Sequence, residues 1–276
     1  MNWASRKEVS TIMRHYGIWL ASSLLLLRLL SATSLMGAPS LIGLTGGLTV
    51  PSPVSIRPEN YEFAIHAEGL KERNDSTKAE DTTLDLSMKL NAGVYDNFEI
   101  GLEKKMRSAS DRRDDQMTVQ MKYRLPVETF NLSLGTVLAT SGRDYSSAYV
   151  VGGWKALYGG VGLNFGGQRL EELTLTQIRR FGTAKFGGYR LKRGIRHGSD
   201  SYIGEPEEFF AMFGADFRLS DYFNLIMDFN GDRFAAGFRL HLKDFNFDLA
   251  YVGQSETEAL LDRDTMNFLF GAGVRF

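Results

Sequence analysis

A two-residue alternation of apolar and polar side chains constrains this chain more than any other feature. The alternation runs from Tyr61 to Ala67, from Leu84 to Ala92, from Phe98 to Leu102 and from Met117 to Leu125, and it returns from Phe245 to Tyr251. Successive side chains of a β-strand point to opposite faces, so the pattern predicts strands that are apolar on one face and polar on the other.

The connections between these stretches alternate between short and long. Short turns fall at 95–97, 126–127, 155–157, 220–222 and 243–244, and longer polar stretches cover 71–81, 107–115, 141–146, 192–207 and 254–265. Short turns at one end and long loops at the other are typical of outer-membrane barrels. The sequence predicts an all-β fold, a transmembrane antiparallel up-and-down β-barrel of about fourteen strands. If Glu171–Leu191 contributes only one spanning element, roughly twelve strands is the alternative.

The first residues have the order of a secretory signal. Basic residues, among them Arg6 and Arg14, precede an apolar run over 16–27, and small residues follow up to Ala38. A retained anchor is the alternative, but Arg28 leaves the run shorter than the roughly 20 residues that a spanning helix needs. We predict a signal peptide over 1–38 with its cleavage site open, a Gly/Pro segment at the barrel mouth over 39–59, and an outer-membrane barrel over 60–276.

The polar strand faces predict a lumen that carries both charge signs. The candidate lumen residues are Glu99, Glu103, Lys105, Gln120, Lys122, Arg124, Arg239 and His241. Such a lumen either closes by internal salt bridges or lines a narrow water-filled path. Strand glycines over 152–167 are interpreted as sites of bending or of close approach by another segment, with bending favoured.

Aromatic residues supply two further signals. Those beside the short turns predict an interfacial girdle; they are Tyr61, Tyr95, Phe98, Tyr123, Phe130, Trp154, Tyr158, Tyr222, Phe223 and Phe245. The final strand places Phe268, Phe270, Val274 and Phe276 on one face. An apolar alternating strand with a C-terminal aromatic residue resembles the sorting signal read by the barrel-assembly machinery.

Two short stretches carry a resemblance to a family. Residues 43–52 read Gly-Leu-Thr-Gly-Gly-Leu-Thr-Val-Pro-Ser, and residues 94–102 read Val-Tyr-Asp-Asn-Phe-Glu-Ile-Gly-Leu. Together they are similar to the YjbH-type outer-membrane proteins. The resemblance implies an outer-membrane barrel linked to exopolysaccharide production and secretion, and it assigns no functional residue.

Enzymatic chemistry finds little support in the sequence. His197 and Ser199 have the His-x-Ser spacing of outer-membrane phospholipase A, but Asp200 stands where that family has Asn, and no group that orients the histidine is evident. Phospholipid hydrolysis that is unchanged in Ser199→Ala would remove this hypothesis. The histidines are scattered, the chain has no cysteine, and its net charge is -1. We therefore predict no catalytic residue, metal, cofactor or nucleic-acid partner.

The sequence thus predicts a non-enzymatic barrel of the bacterial outer membrane, either a small channel or an envelope component. An accessory barrel for exopolysaccharide production or secretion is the alternative, and a phospholipase-like hydrolase is the third hypothesis. The expected partners are outer-membrane lipid, the barrel-assembly machinery, and either polysaccharide or small solutes.

Overall fold

The computed structural model describes most of the chain after the predicted signal. The described residues are 38–41, 44–74, 79–107, 116–140, 145–167, 170–174, 186–187, 189–193, 201–253 and 266–276. No helix among them is long and apolar enough to cross a membrane. Residues 1–37 of the predicted signal, and both His197 and Ser199, lie outside the described residues.

The regular elements of the described residues are strands. In chain order they are β1 (Ala38–Pro39), β2 (Thr45–Gly46), β3 (Tyr61–Asn74), β4 (Ala79–Tyr95), β5 (Phe98–Arg107), β6 (Gln116–Leu125), β7 (Asn131–Ala139), β8 (Ser146–Trp154), β9 (Leu157–Phe165), β10 (Leu170–Thr174), β11 (Tyr189–Arg193), β12 (Ser201–Pro206), β13 (Phe209–Arg218), β14 (Phe223–Phe229), β15 (Phe234–Leu242), β16 (Phe245–Val252) and β17 (Met266–Arg275).

Twelve of these strands form a closed antiparallel barrel. Strands β3 to β9 and β13 to β17 pair with their neighbours in order, β9 pairs with β13, and β17 closes on β3. The seam extends to the chain end, where the Tyr61 N–H donates to the Phe276 carbonyl at 2.9 Å and the reverse bond measures 3.0 Å. Closure gives every strand two ladder partners, which backbone groups in lipid require. The predicted all-β barrel is confirmed.

The predicted count of fourteen strands is wrong, and the alternative of twelve is correct. The difference arises between β9 and β13, where the Glu171–Leu191 region was predicted to supply a barrel pair. Strands β10 and β11 pair instead with β12 in a separate three-stranded sheet, and the barrel closes by pairing β9 directly with β13. A strand's local pattern does not specify its ladder partner, so the sequence could not distinguish these two arrangements.

The outer face of the barrel is apolar. Large hydrophobic side chains are exposed along the barrel strands, among them Phe209 at 74%, Phe213 at 55% and Phe270 at 57%. This exposure would be unfavourable in water, whereas it provides the lipid-facing band of a membrane barrel. The protein therefore lies in the bacterial outer membrane, as the sequence predicts.

Aromatic residues at the short-turn end have different orientations. Exposed rings on the outer face there are Tyr61, Tyr95, Tyr123, Phe130, Trp154, Tyr222 and Phe245. Tyr158 differs from the prediction, because it is only 5% exposed and points into the lumen. The turn residues Lys155 and Ala156 place Leu157 outward, so Tyr158, the next residue, faces inward.

Candidate functional site in the barrel lumen

The Gly/Pro segment before the first barrel strand lies inside the lumen rather than at its mouth. We call the described residues 38–41 and 44–56 the N-terminal plug. The plug enters at the short-turn end, where the Glu59 N–H donates to the Gly93 carbonyl at 3.0 Å. Its apolar side chains Leu44, Leu48 and Val50 are at most 2% exposed. The lumen is therefore occupied by the protein's own chain.

The plug is a compact turn of backbone. Strands β1 and β2 pair within it, and Gly46 bridges to Pro51. The Gly47 N–H donates to the Val50 carbonyl at 2.9 Å, and the Ser52 N–H donates to the Thr45 carbonyl at 3.1 Å. These bonds fold the segment back on itself, so it fills a wide bore that a single extended strand would leave open.

An ion pair on β5 and β6 binds the start of this turn. Glu99 Oε1 accepts bonds of 2.8 Å from both the main-chain N–H and the hydroxyl of Thr45. Lys122 Nζ lies 3.0 Å from Glu99 Oε2 and donates to the Thr45 carbonyl at 2.8 Å. Gln120 Oε1 accepts from the Leu44 N–H at 3.1 Å. Both ionised side chains are fully buried, and each forms hydrogen bonds with the plug.

A second ion pair, on β15 and β16, binds the glycines of the plug. Arg239 donates to Asp248 Oδ1 at 2.7 Å and to Asp248 Oδ2 at 3.2 Å. The same guanidinium donates to the Gly46 carbonyl at 2.9 Å and to the Gly47 carbonyl at 3.0 Å. The planar fork thus binds a carboxylate with one part and the plug backbone with the other.

Asp228 on β14 receives the next two plug residues. Its Oδ2 accepts main-chain bonds from Leu48 at 2.6 Å and from Thr49 at 2.9 Å, and its Oδ1 accepts the Thr49 hydroxyl at 2.6 Å. A carboxylate that accepts adjacent backbone N–H groups forms strong charge-assisted bonds. Asp228 is fully buried, and the contacts described above all come from the plug.

Two further wall residues bind the two ends of the plug. Lys89 on β4 donates to the Ser40 carbonyl, and the Ser133 hydroxyl on β7 donates to the Pro53 carbonyl at 2.7 Å. With the groups above, side chains from six barrel strands contact the plug, and most of these bonds end on its main chain. The polar contacts of the wall therefore follow the plug backbone, with few hydrogen bonds to plug side chains.

The opposite half of the lumen is mainly apolar, with a few buried polar side chains such as Ser133 and Ser147. Leu44 and Val50 of the plug pack there against a buried cluster from β7, β8, β9 and β13; the cluster members on these strands are Val137, Tyr149, Val151, Tyr158, Phe210 and Met212. These aromatic rings face glycines on the neighbouring strand, in the pairs Gly135–Tyr149, Gly214–Tyr158 and Gly162–Phe210.

The paired glycines are required by these rings. A Cβ atom at Gly135, Gly162 or Gly214 would lie 2.2–2.3 Å from a ring carbon of the opposite aromatic side chain. The rings therefore lie flat over glycine and fill the lumen. All three glycines accommodate the close approach of a side chain. Of the three, only Gly162 belongs to the 152–167 stretch, for which bending was the favoured prediction and close approach the alternative.

A residue from the connection between β9 and β13 packs against the lumen wall near the long-loop end. The Phe186 ring is fully buried, stacked on Phe210 with 4.9 Å between ring centroids. Asn164 donates to the Phe186 carbonyl at 2.9 Å, and the Gly187 N–H donates to the Asn230 carbonyl at 3.1 Å. Phe186 and the plug residue Leu44 belong to one buried cluster, so packing links this connection to the plug.

The structure places the predicted lumen residues at three kinds of position. Glu99, Gln120, Lys122 and Arg239 bind the plug. Glu103, Lys105 and His241 contact other wall residues: Glu103 accepts from Gln120 at 3.1 Å, Lys105 lies 3.1 Å from Asp85, and His241 lies 2.6 Å from Asn246. Arg124 lines a cavity of about 480 Å³ at the short-turn rim.

Among the described residues, no group of three or more His, Asp or Glu is placed to hold a metal ion.

Sequence reasoning missed Asp228, Asp248, Lys89 and the location of the plug. A usable signal was present in β7, β8 and β13, whose lumen-facing positions include Val137, Val151 and Met212 although their outer positions are also apolar. A water-filled lumen disfavours apolar wall residues, so strands apolar on both faces indicate that something packs inside.

No family model and no curated protein matches this chain. Among solved structures, it is similar to the KdgM porin, with a TM-score of 0.45 and 10% identity over 77% of this chain and 99% of that chain. An outer-membrane channel from Pseudomonas putida F1 has a TM-score of 0.36 and 6% identity, over 80% and 97%. Salmonella typhi OmpF, in complex with daunomycin, has a TM-score of 0.34 and 8% identity, over 79% and 97%. At these values the likenesses carry no functional argument, and the barrel is assigned from its own strand pairing.

Proposed function

We propose that the protein is an outer-membrane channel held closed by its N-terminal plug. One observation carries the proposal: the wall that contacts the plug is lined by ionised side chains. Three are cationic and three are anionic; they are Lys89, Lys122 and Arg239, and Glu99, Asp228 and Asp248. A wall of this kind is wettable as soon as the plug withdraws.

A permanently filled lumen would not need these charges. Replacing a buried ion pair with apolar side chains of similar volume is often neutral or stabilising, because burial removes charges from water. The apolar half of this lumen shows that the barrel wall can hold the plug with apolar side chains. The charged half instead supports a second state in which water replaces the plug. Because both signs alternate along the wall, we expect the open state to pass small polar solutes with weak ion selectivity.

The test uses the unaltered chain in planar bilayers under graded urea. We expect few openings without urea and reversible channel openings at urea concentrations that leave the barrel folded, because the closed strand ladder is more stable than one segment's contacts. Folding is followed in parallel by heat-modifiable gel mobility. Conductance that appears only when the folded band disappears would contradict the proposal.

An accessory barrel for exopolysaccharide production or secretion is a second candidate. The observation that favours it is that the two stretches resembling the YjbH-type proteins touch in the lumen. Thr45 bonds to Glu99, and a Cβ at Gly101 would lie 3.1 Å from Leu44. The two stretches thus form one unit of plug and wall. In this role polysaccharide would be the partner.

The second candidate is tested in cells. Deleting the gene should change capsule or biofilm yield, and the intact chain should restore it. Unchanged polysaccharide together with changed solute uptake would favour the simple channel. In either role we propose that the barrel-assembly machinery reads the terminal strand, whose Phe270 and Phe276 are exposed at 57% and 65%. We propose no catalytic step.

A further inference from the structure

We propose that the lumen is a peptide-binding site that recognises its plug without a covalent connection. The ligand class is a polypeptide segment with two adjacent glycines followed, two residues after the second, by a hydroxyl side chain. This inference rests on the plugged lumen described above and deepens the proposed function, since it makes the closing segment an exchangeable ligand.

The contacts define a site that is complete in itself. Carboxylates of Glu99 and Asp228 accept main-chain N–H groups, and the cations Lys122 and Arg239 donate to main-chain carbonyls. The wall thus accepts the N–H groups of residues 44 and 45, donates to the carbonyls of residues 45–47, and accepts the N–H groups of residues 48 and 49. Every residue of this stretch therefore has a main-chain bond to the wall. None of these bonds depends on the link between the plug and β3.

The sequence requirement of the site comes from three plug positions. A Cβ at Gly47 would lie 2.0 Å from the Tyr158 hydroxyl and 2.5 Å from Asp228 Oδ2. A Cβ at Gly46 would lie 2.2 Å from the Val50 carbonyl oxygen. The Thr49 hydroxyl completes the bonds of Asp228. The wall therefore excludes a side chain at position 47, the turn of the peptide itself excludes one at position 46, and one buried hydroxyl bond selects position 49.

The connection between plug and barrel offers a place to separate them. Residues 57–59 are exposed and lie just outside the lumen. Within one chain, the tether holds the plug at a high effective concentration, so the intrinsic affinity of the site is hidden. Cutting the tether after folding exposes that affinity, and the barrel still folds with its plug in place.

The experiment inserts a protease site at 57–59, cuts the folded full chain, and adds a fluorescent synthetic peptide of residues 38–57. We expect the cut segment to stay with the barrel through gel filtration and to be replaced by the labelled peptide after mild urea and dilution. A Thr49→Val peptide should bind about tenfold more weakly, and Gly46→Ala and scrambled peptides should not bind.

Loss of the cut segment without rebinding of the peptide would overturn the inference, as would equal binding of the scrambled peptide. The readout is binding, so it is separate from conductance. If the peptide exchanges but urea opens no channel, the proposed function fails and the peptide site stands. If urea opens the channel but no peptide binds, the function stands and the peptide site fails.

Discussion

Arg239→Met is expected to open the barrel. The substitution removes both bonds to the plug glycines and leaves Asp248 buried without its main partner. Breaking one side of a buried ion pair costs about 3–5 kcal/mol. We expect a large part of the free-energy difference that favours the closed over the open state to be lost. Channel openings in planar bilayers should therefore become frequent without urea.

Two further variants make this prediction specific. Arg233→Met removes a cation of the turn before β15 whose guanidinium lies 3.0 Å from Glu68 on the barrel wall, so this variant should stay closed. The double variant Arg239→Met with Asp248→Leu removes both charges, which protects folding, while the Gly46 and Gly47 carbonyls of the plug still lose their guanidinium N–H donors. A closed double variant, or equal opening in Arg233→Met, would show that Arg239 does not hold the plug.

Gly46→Ala is expected to destabilise the plug from within. The added methyl group would lie 2.2 Å from the Val50 carbonyl oxygen and 2.7 Å from Pro51 Cα, and these backbone atoms cannot move away by a side-chain rotation. Overpacking of this kind costs about 1–3 kcal/mol or more. The urea concentration at which channels appear should therefore fall clearly below that of the unaltered chain.

Gly69→Ala is the matched control for this substitution. A Cβ at Gly69 meets nothing within 4 Å, so the same chemical change on a barrel strand should leave the urea threshold unchanged. Heat-modifiable mobility should show a folded barrel in both variants. If Gly46→Ala and Gly69→Ala open at the same urea concentration as the unaltered chain, the turn at Gly46 does not determine closure.

The barrel itself could be predicted because its two environments differ. Lipid outside and polar contacts inside impose opposite side-chain chemistry on alternating positions, as in β16, where Phe247 and Leu249 face outward and Asp248 faces inward. Such alternation is local and is visible in the sequence. The strand count is less visible, since β10 and β11 resemble barrel strands but pair elsewhere.

The location of the plug could not be predicted in the same way. Glu99 and Lys122 would alternate identically whether they faced water or a peptide backbone, because both satisfy an ionised side chain. Gly135 and Tyr149 lie far enough apart in sequence that their contact appears only once the β7–β8 register is known. What fills the lumen is therefore a property of three-dimensional pairing, which the two-residue period does not encode.

The central claim is that the plug closes a pore, and a reversible tether tests it most directly. The Thr49 hydroxyl lies 2.6 Å from Asp228 Oδ1, and the chain has no cysteine of its own, so Thr49→Cys with Asp228→Cys places a single pair of thiols on facing plug and wall positions for oxidation to a disulfide. We predict that the oxidised double variant stays closed in bilayers under urea that opens the unaltered chain, and that reduction opens it. Conductance that is the same in the oxidised and reduced forms, with the disulfide verified by mass, would contradict the account.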